Sequence, residues 1–157
     1  MGLGSSSSYR AIHGYPHNSV VWKTSKGRKS VLVRTLDELK ANGQYRENPG
    51  VWSSSRYLLR DDGIGFTLTQ TTVAAGQSQE MEYKNHIEAN LVIEGRGQVS
   101  DLATGEIHDL EPGTMYTLDK HDRHRIEALT DMRLVCVFTP ALVGPETHDA
   151  DGSYPIL

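Results

Sequence analysis

The sequence predicts an all-β domain, an antiparallel sandwich or barrel with one short helix near its start. Segments with strand patterns recur about every 8–12 residues along the chain. The 157 residues include 15 glycines and 6 prolines, which divide the chain into short elements. No apolar run approaches the roughly 20 residues that a membrane-spanning helix needs. The sole cysteine, Cys136, excludes a disulfide framework and a multi-cysteine zinc site.

The first predicted elements are a strand-like segment and the helix. Residues 31–33 (Val-Leu-Val) form a short β-rich start. Thr35 is the expected N-cap of a helix of one or two turns, because the acidic residues 37–38 would lie in its first turn. The pair Asn42-Gly43 ends this helix.

Strand patterns dominate the rest of the chain. Turn residues separate the predicted strands at Asp61-Asp62-Gly63, Ala103-Thr104-Gly105 and Pro112-Gly113. The predicted strands cover residues 55–60, 65–74, 88–94, 98–102, 107–110, 115–118, 124–129 and 132–138. Such a series of short strands joined by turns is typical of an antiparallel sandwich or barrel.

The charge distribution divides the chain into two parts. Residues 1–30 contain five basic and no acidic residues, so we interpret them as a disordered or non-native N-terminal extension; a transit peptide and a myristoylation signal are the alternatives. Residues 31–157 are the predicted folded domain, with 11 basic and 20 acidic residues. This acidic balance excludes nucleic acid as a partner, since phosphate binding needs a basic face.

Two spaced motifs carry the chemical information. The first runs from Gly76 through Glu88 to Gly95, and the second from Gly113 to His124. Together they resemble the two motifs of the cupin superfamily, which implies a single jelly-roll-like β-barrel. The chain departs from that pattern where two histidines are expected, at Glu82 and Lys84, and where Pro and Gly are expected, at Asp119 and His121. Only Glu88 and His124 remain of the usual metal ligands.

A third ligand is needed, because two donors hold a divalent metal too weakly. Tyr116 lies in the strand that precedes His124, and strand alternation allows its side chain to point inward. Glu88, Tyr116 and His124 would form a site of two oxygens and one nitrogen. Such a site with open positions suits ferrous iron (Fe²⁺) acting as a Lewis acid.

The chain resembles the ectoine synthase family from about residue 32 to its end. The resemblance rests on Tyr83-Lys84-Asn85-His86-Ile87-Glu88-Ala89, on residues 115–124, and on a series of shorter segments in family order. Those segments are Trp52 with Arg56, Asp61-Asp62-Gly63, Thr71-Thr72, residues 136–140, residues 144–148 and residues 151–155.

This resemblance implies a hydro-lyase that cyclises N-γ-acetyl-L-2,4-diaminobutyrate to ectoine with loss of water, in compatible-solute biosynthesis under osmotic stress. It implies iron held by Glu88, Tyr116 and His124. The implied catalytic candidates are Tyr83, His86, Glu146 and His148. The implied substrate-binding candidates are Trp52, Arg56, Thr71, Tyr83, Asp122, Cys136, Phe138, Glu146 and His148. A homodimer in the cytoplasm, without a membrane partner, is the expected state.

The chemistry of the reaction fits these residue types. Attack of the α-amino group requires a polarised acetamide carbonyl, which a metal supplies, and a group that moves protons near neutral pH. We expect Tyr83 or His86 to move the proton. Glu82 is the main departure within the pocket region, but alternation predicts that it does not share the inward face of Tyr83.

Two other functions remain open at this point. One is a metal-dependent cupin enzyme that acts on another small amino-acid derivative, and the other is a non-catalytic cupin that binds a small molecule. No strained serine nucleophile and no glycine-rich phosphate loop is present in the sequence, so a hydrolase of that type and a phosphate-loop enzyme are not favoured.

Overall fold

Two antiparallel sheets form the domain. The computed structural model describes residues 31–150 and 152–157, so the predicted extension of residues 1–30 lies outside the described residues. The described part contains one α-helix, α1 (Leu36–Ala41), and a 3-10 turn at Arg60–Asp62. Its strands are β1 (Tyr45–Asn48), β2 (Trp52–Leu58), β3 (Thr67–Val73), β4 (Ser78–Met81), β5 (Ile87–Glu94), β6 (Gly97–Asp101), β7 (Ile107–Leu110), β8 (Met115–Leu118), β9 (His124–Ala128) and β10 (Met132–Thr139). The predicted all-β class is confirmed.

The strand order explains where a site can form. One sheet has six strands in the order β1-β2-β3-β10-β5-β8, and the other has four in the order β4-β9-β6-β7. No described strand belongs to both sheets, so hydrogen bonds do not close the barrel. The edge strands are β1 and β8 in one sheet and β4 and β7 in the other, and residues of β7 and β8 line a groove on one side of the domain. No helix in the described part of the chain has the length and apolarity that a membrane crossing requires.

The short helix begins and ends where the sequence indicates. The Thr35 hydroxyl accepts a hydrogen bond from the Glu38 N–H, and the Glu38 carboxylate accepts one from the Thr35 N–H, which completes a capping box. The preceding Arg34 makes a bidentate contact with the Asp62 carboxylate at 2.6 and 2.7 Å. This contact ties the start of the domain to the turn after β2.

One predicted strand-like segment is absent and two observed strands were not predicted, each for a tertiary reason. Residues 31–33 are not in a strand, and Val31 is 86% exposed, because none of the strands in the described part of the chain pairs with them. Strands β1 and β4 were not predicted, since their sequences, YREN and SQEM, are mostly polar. Pairing with β2 and with β9 makes them strands.

The core lies between the sheets and becomes polar toward one end. Along β10, Leu134, Cys136 and Phe138 are buried at alternate positions. They pair with Val92, Asn90 and Glu88 of β5, respectively. The buried face of β5 thus changes from an apolar residue to an amide and then a carboxylate. This polar end of the core holds the candidate site.

Gly95 in the β5–β6 turn offers a test of this packing. Its φ is +81°, and a Cβ at this position would lie 2.0 Å from the carbonyl oxygen of Asp131. We expect Gly95→Ala to lower the free energy of unfolding by at least about 3 kcal/mol, as measured by urea denaturation. Gly105 is the matched control, because its φ is +78° and nothing lies within 4 Å of a Cβ there. Gly105→Ala should cost only about 1 kcal/mol. Equal losses in the two variants would contradict the close approach at Gly95.

Candidate active site

A small, partly open space, the central cavity, lies between the two sheets at the polar end of the core. It has a volume of about 60 Å³. Eight of the residues predicted for the site line it: Trp52, Thr71, Tyr83, Glu88, Tyr116, Cys136, Phe138 and His148. They come from β2, β3, β5, β8, β10 and two loops, so the fold assembles them from separate parts of the chain.

The pairing of three strands sets one wall of the central cavity. Tyr116 of β8 pairs with Asn90 of β5, and Asn90 pairs with Cys136 of β10. Glu88, two residues before Asn90, lies on the same face of β5 and is 5% exposed. Alternation thus brings a carboxyl, an amide, a phenol and a thiol to one interior surface.

Burial controls the protonation of this wall. Desolvation raises the pKa of Glu88 from its ordinary 4.5 to about 8, although a hydrogen bond from Asn90 opposes the shift. Desolvation and the charge of Glu88 together raise the pKa of Tyr116 well above its ordinary value. The same two causes raise the pKa of Cys136 to about 12. A bound cation would favour the ionised form of each of these groups.

The His124 ring is buried, and one of its two nitrogens has the lone pair that a metal ligand needs. It is 1% exposed, and its Nδ1 lies 3.0 Å from the backbone carbonyl oxygen of Asp122. Because a carbonyl only accepts, Nδ1 carries the hydrogen and Nε2 carries a lone pair. Nε2 has no hydrogen-bond partner among the described residues. Desolvation lowers the pKa of His124, which keeps the ring neutral.

A three-donor metal site around Glu88 and His124 would need Tyr116 as its third donor. Among the described residues, no three histidine, cysteine, aspartate or glutamate side chains cluster closely enough to hold a metal ion. Glu88 and Tyr116 line the central cavity, whereas His124 lines a neighbouring groove that also reaches Tyr116. Tyr116 is therefore the candidate ligand that the two spaces share. The donor set of one carboxylate, one phenolate and one neutral imidazole fits a divalent transition metal such as iron.

A tyrosine–histidine pair lies in the lining of the central cavity. The Tyr83 hydroxyl is 3.1 Å from Nε2 of His148, and the Gln79 amide nitrogen is 3.4 Å from Nδ1. The His148 ring stacks on the Tyr154 ring, with 4.4 Å between centroids. A hydrogen bond of 2.6 Å joins the backbone carbonyl of Tyr83 to the ring of His121. These contacts fix the positions of both members of the pair.

Burial also sets the protonation of this pair. Desolvation, and secondarily the charge of Arg56, lowers the pKa of His148 to about 4, with Asp149 opposing. Desolvation raises the pKa of Tyr83 well above its ordinary value, and Glu88 adds to the shift. At neutral pH, the cavity therefore contains a neutral imidazole beside a protonated phenol.

Three predicted residues lie behind the cavity rather than in its lining. The Arg56 guanidinium donates hydrogen bonds to the carbonyl oxygens of Gly144 and Glu146 and lies 5.6 Å from the Tyr154 ring centroid. The Glu146 carboxylate accepts from the N–H groups of Val143 and Gly144, at 2.5 and 2.6 Å, and is 3.7 Å from Arg56. These contacts shape the loop that leads to His148.

His86 is the third residue of this layer. It is 2% exposed, and its ring meets Tyr154 edge-on at 6.4 Å. Desolvation lowers its pKa.

Asp122, which was predicted to bind substrate, lies instead in the groove beside His124. Glu82 does not line the central cavity, in agreement with the alternation argument.

Sequence reasoning missed half of the cavity lining. The residues concerned are Ser54, Val73, Gln79, Met81, Asn90, Ile126, Leu134 and Tyr154. Asn90 was accessible to prediction, because a period of two places it on the face of Glu88. No local signal identifies Tyr154, whose ring reaches the cavity from the C-terminal segment.

Comparison with known proteins adds evidence independent of this geometry. A family model described as ectoine synthase matches residues 31–157. The L-ectoine synthase of Sphingopyxis alaskensis is 47% identical over 125 residues, which cover 80% of this chain and 90% of that protein. The crystal structure of ectoine synthase from P. lautus is similar with a TM-score of 0.71 and 42% identity, over 81% of this chain and 91% of that chain. An RmlC-like cupin from Shewanella frigidimarina has a TM-score of 0.52 at 19% identity, over 62% and 83% of the two chains. This last similarity confirms the cupin fold.

Proposed function

The chain belongs to the ectoine synthase family and is a hydro-lyase, and we propose that it cyclises N-γ-acetyl-L-2,4-diaminobutyrate to ectoine with loss of water. The observation that carries the proposal is the family match over residues 31–157, the same residues that build the central cavity. The reaction joins the α-amino nitrogen to the acetamide carbon. The former carbonyl oxygen leaves as water, and a cyclic amidine remains.

We propose that Glu88, Tyr116 and His124 hold Fe²⁺. The orphaned Nε2 of His124 and the buried carboxyl of Glu88 support this assignment, because an unpartnered buried nitrogen and the burial of a carboxylate charge are both costly. When bound, the ion supplies Lewis-acid polarisation of a carbonyl oxygen.

The walls of the central cavity favour ring closure. Trp52, Phe138 and Tyr154 surround the space with aromatic surface that excludes water. Low polarity favours the uncharged form of the attacking amine, because burial destabilises an ammonium ion. The low polarity of the central cavity also favours the loss of water from the ring. Holding the amine beside the acetamide carbon contributes by proximity.

The Tyr83–His148 pair is the proposed proton-moving device. The neutral imidazole of His148 accepts a proton that the attacking amine loses. Burial keeps the Tyr83 hydroxyl protonated until this step, when it gives its proton to the oxygen that leaves as water. Their contact of 3.1 Å lets the proton pass from one to the other. The pair thus moves a proton from the nitrogen to the oxygen twice, once to form the hydroxyl group and once to release it as water.

Arg56, His86 and Glu146 are proposed as positioning residues. The ion pair of Arg56 with Glu146 and its contacts with Gly144 fix the loop before His148. His86 packs against Tyr154, which in turn stacks on His148. These three residues were predicted to act in catalysis or substrate binding. They therefore act by holding Tyr154, His148 and the loop before His148 in position.

A direct turnover assay tests the proposed function. Purified protein is loaded anaerobically with ferrous iron and given N-γ-acetyl-2,4-diaminobutyrate, and ectoine is followed by proton NMR. We expect ectoine from the loaded protein and none from a metal-stripped sample. Iron binding without product would indicate another small amino-acid derivative as substrate. Folded protein with neither bound iron nor product would favour the non-catalytic binding function.

We also propose a homodimer in the cytoplasm that serves osmotic-stress protection. An apolar patch on the outer face of β5 and β8 supports the dimer: Leu91 faces Met115 across the strand pair, and Ile87 and Ile93 flank them. These four side chains are 37 to 60% exposed.

Leu91→Asp tests this dimer. We expect the variant to elute as a monomer in size-exclusion chromatography with light scattering, because a buried charge opposes association. Leu36→Asp is the matched control, since Leu36 is 39% exposed on α1, which contacts β2 toward the opposite edge of the six-stranded sheet from β8, and should leave the dimer intact. A dimer that survives Leu91→Asp would place the interface elsewhere.

A further inference from the structure

A second opening reaches the candidate metal ligands from the side away from the central cavity. It lies where the barrel is open, between the edge strands β7 and β8, and has a volume of about 270 Å³. We call it the acidic groove. The residues that define it here are Asp101, His108, Tyr116, Asp119, Asp122 and His124.

The acidic groove attracts cations. Three carboxylates line it, and Lys120 is the one lysine or arginine in its lining. A concave surface with carboxylates raises the local concentration of cations.

The central cavity offers a cation a much poorer entry. Its one carboxyl, Glu88, is buried. The remaining polar groups near the solvent are the uncharged Thr71, Gln79 and His148, beside the indole of Trp52. A hydrated divalent ion would lose its water among neutral and aromatic groups, which is costly.

His124 connects the acidic groove to the candidate ligands. It is 99% buried, lines the groove, and has an Nε2 without a hydrogen-bond partner among the described residues. Tyr116 lines both the groove and the central cavity. The phenol ring therefore forms a partition, with the acidic groove on one side and the substrate space on the other.

We propose that the acidic groove is the route by which a divalent metal ion reaches His124 and Tyr116, separate from the route of the substrate. The inference rests on the proposed function for its metal ligands. It goes further in assigning a role to Asp101, Asp119 and Asp122. Metal loading then does not require the substrate cavity to be empty or open.

Cobalt uptake tests the route without relying on activity. Stopped-flow absorbance follows Co²⁺ binding to metal-free wild type, Asp119→Asn and Asp119→Lys. The matched control is Glu127→Lys, which reverses an exposed charge on β9 outside the groove. At low ionic strength we expect the association rate constant to fall about threefold in Asp119→Asn and about tenfold in Asp119→Lys. Added salt should reduce both effects, and the control should stay within about twofold of wild type.

The outcomes separate this inference from the proposed function. One Co²⁺ per chain in wild type, lost in His124→Ala, supports the metal ligands. Absence of such binding would overturn the metal site and the route together. Cobalt binding at equal rates in Asp119→Lys and Glu127→Lys would overturn the route alone.

Discussion

Replacing Glu88 with glutamine is expected to abolish iron binding and to lower turnover by at least about 10³-fold. The substitution keeps the shape of the side chain but removes the only carboxylate of the proposed ligand set. The remaining phenol and imidazole hold a divalent ion too weakly, and the carbonyl then reacts without Lewis-acid assistance. Iron content by mass spectrometry and the NMR turnover assay measure the two losses.

The same substitution should stabilise the metal-free protein. The pKa of Glu88 is about 8 in the fold and 4.5 when unperturbed, so the unfolded chain loses its proton first as pH rises. The contribution of Glu88 to the free energy of unfolding therefore falls as pH rises from about 4.5 to about 8, and it is constant above that range. Glutamine does not ionise, so it causes no such loss of stability as pH rises. At pH 7 we expect metal-free Glu88→Gln to exceed metal-free wild type by roughly 2 to 4 kcal/mol in urea unfolding.

Glu94→Gln supplies the control on the same strand. Glu94 is exposed and paired with Arg133 at 3.1 Å, so its replacement should change the free energy of unfolding by less than about 1 kcal/mol. It should leave iron content unchanged. If Glu88→Gln retained iron and full turnover, the ligand assignment would be wrong. A pH-independent stability difference between Glu88→Gln and wild type would contradict the buried carboxyl.

Replacing Tyr83 with phenylalanine is the second large expected effect. It removes the hydroxyl that contacts His148 and leaves the ring packed against Phe138 and Tyr154. We expect kcat to fall about 10²- to 10⁴-fold, since that is the usual contribution of a positioned proton donor. KM should change little, because the shape of the central cavity is kept.

Tyr45→Phe is the matched control for the loss of a hydroxyl. Tyr45 lies on β1 outside the central cavity, where its hydroxyl contacts Glu47. Its variant should retain wild-type kcat. Iron content and the thermal melting curve of Tyr83→Phe should also match wild type, which separates proton transfer from folding. Wild-type kcat in Tyr83→Phe would remove this residue from the proton path.

The local sequence determined much of the fold. The Thr35 cap, the turn at residues 61–63 and most strands follow from short-range patterns of hydrogen bonding, glycine and alternation. The exceptions are β1 and β4, whose polar sequences become strands only through their partners. The sequence also determined the family, since its motifs occur in order over residues 31–157.

Only the tertiary structure decided how the candidate residues are arranged around the site. Sequence order did not show that Glu146 faces Arg56 across 90 residues of chain, or that both lie behind the cavity. It did not show that Tyr154 packs against His148, or that Tyr116 separates two openings. The physical reason is that these relations depend on strand pairing and loop packing between distant segments. Local propensity carries no information about such contacts, whereas the alternation within each strand fixes only the face that a residue occupies.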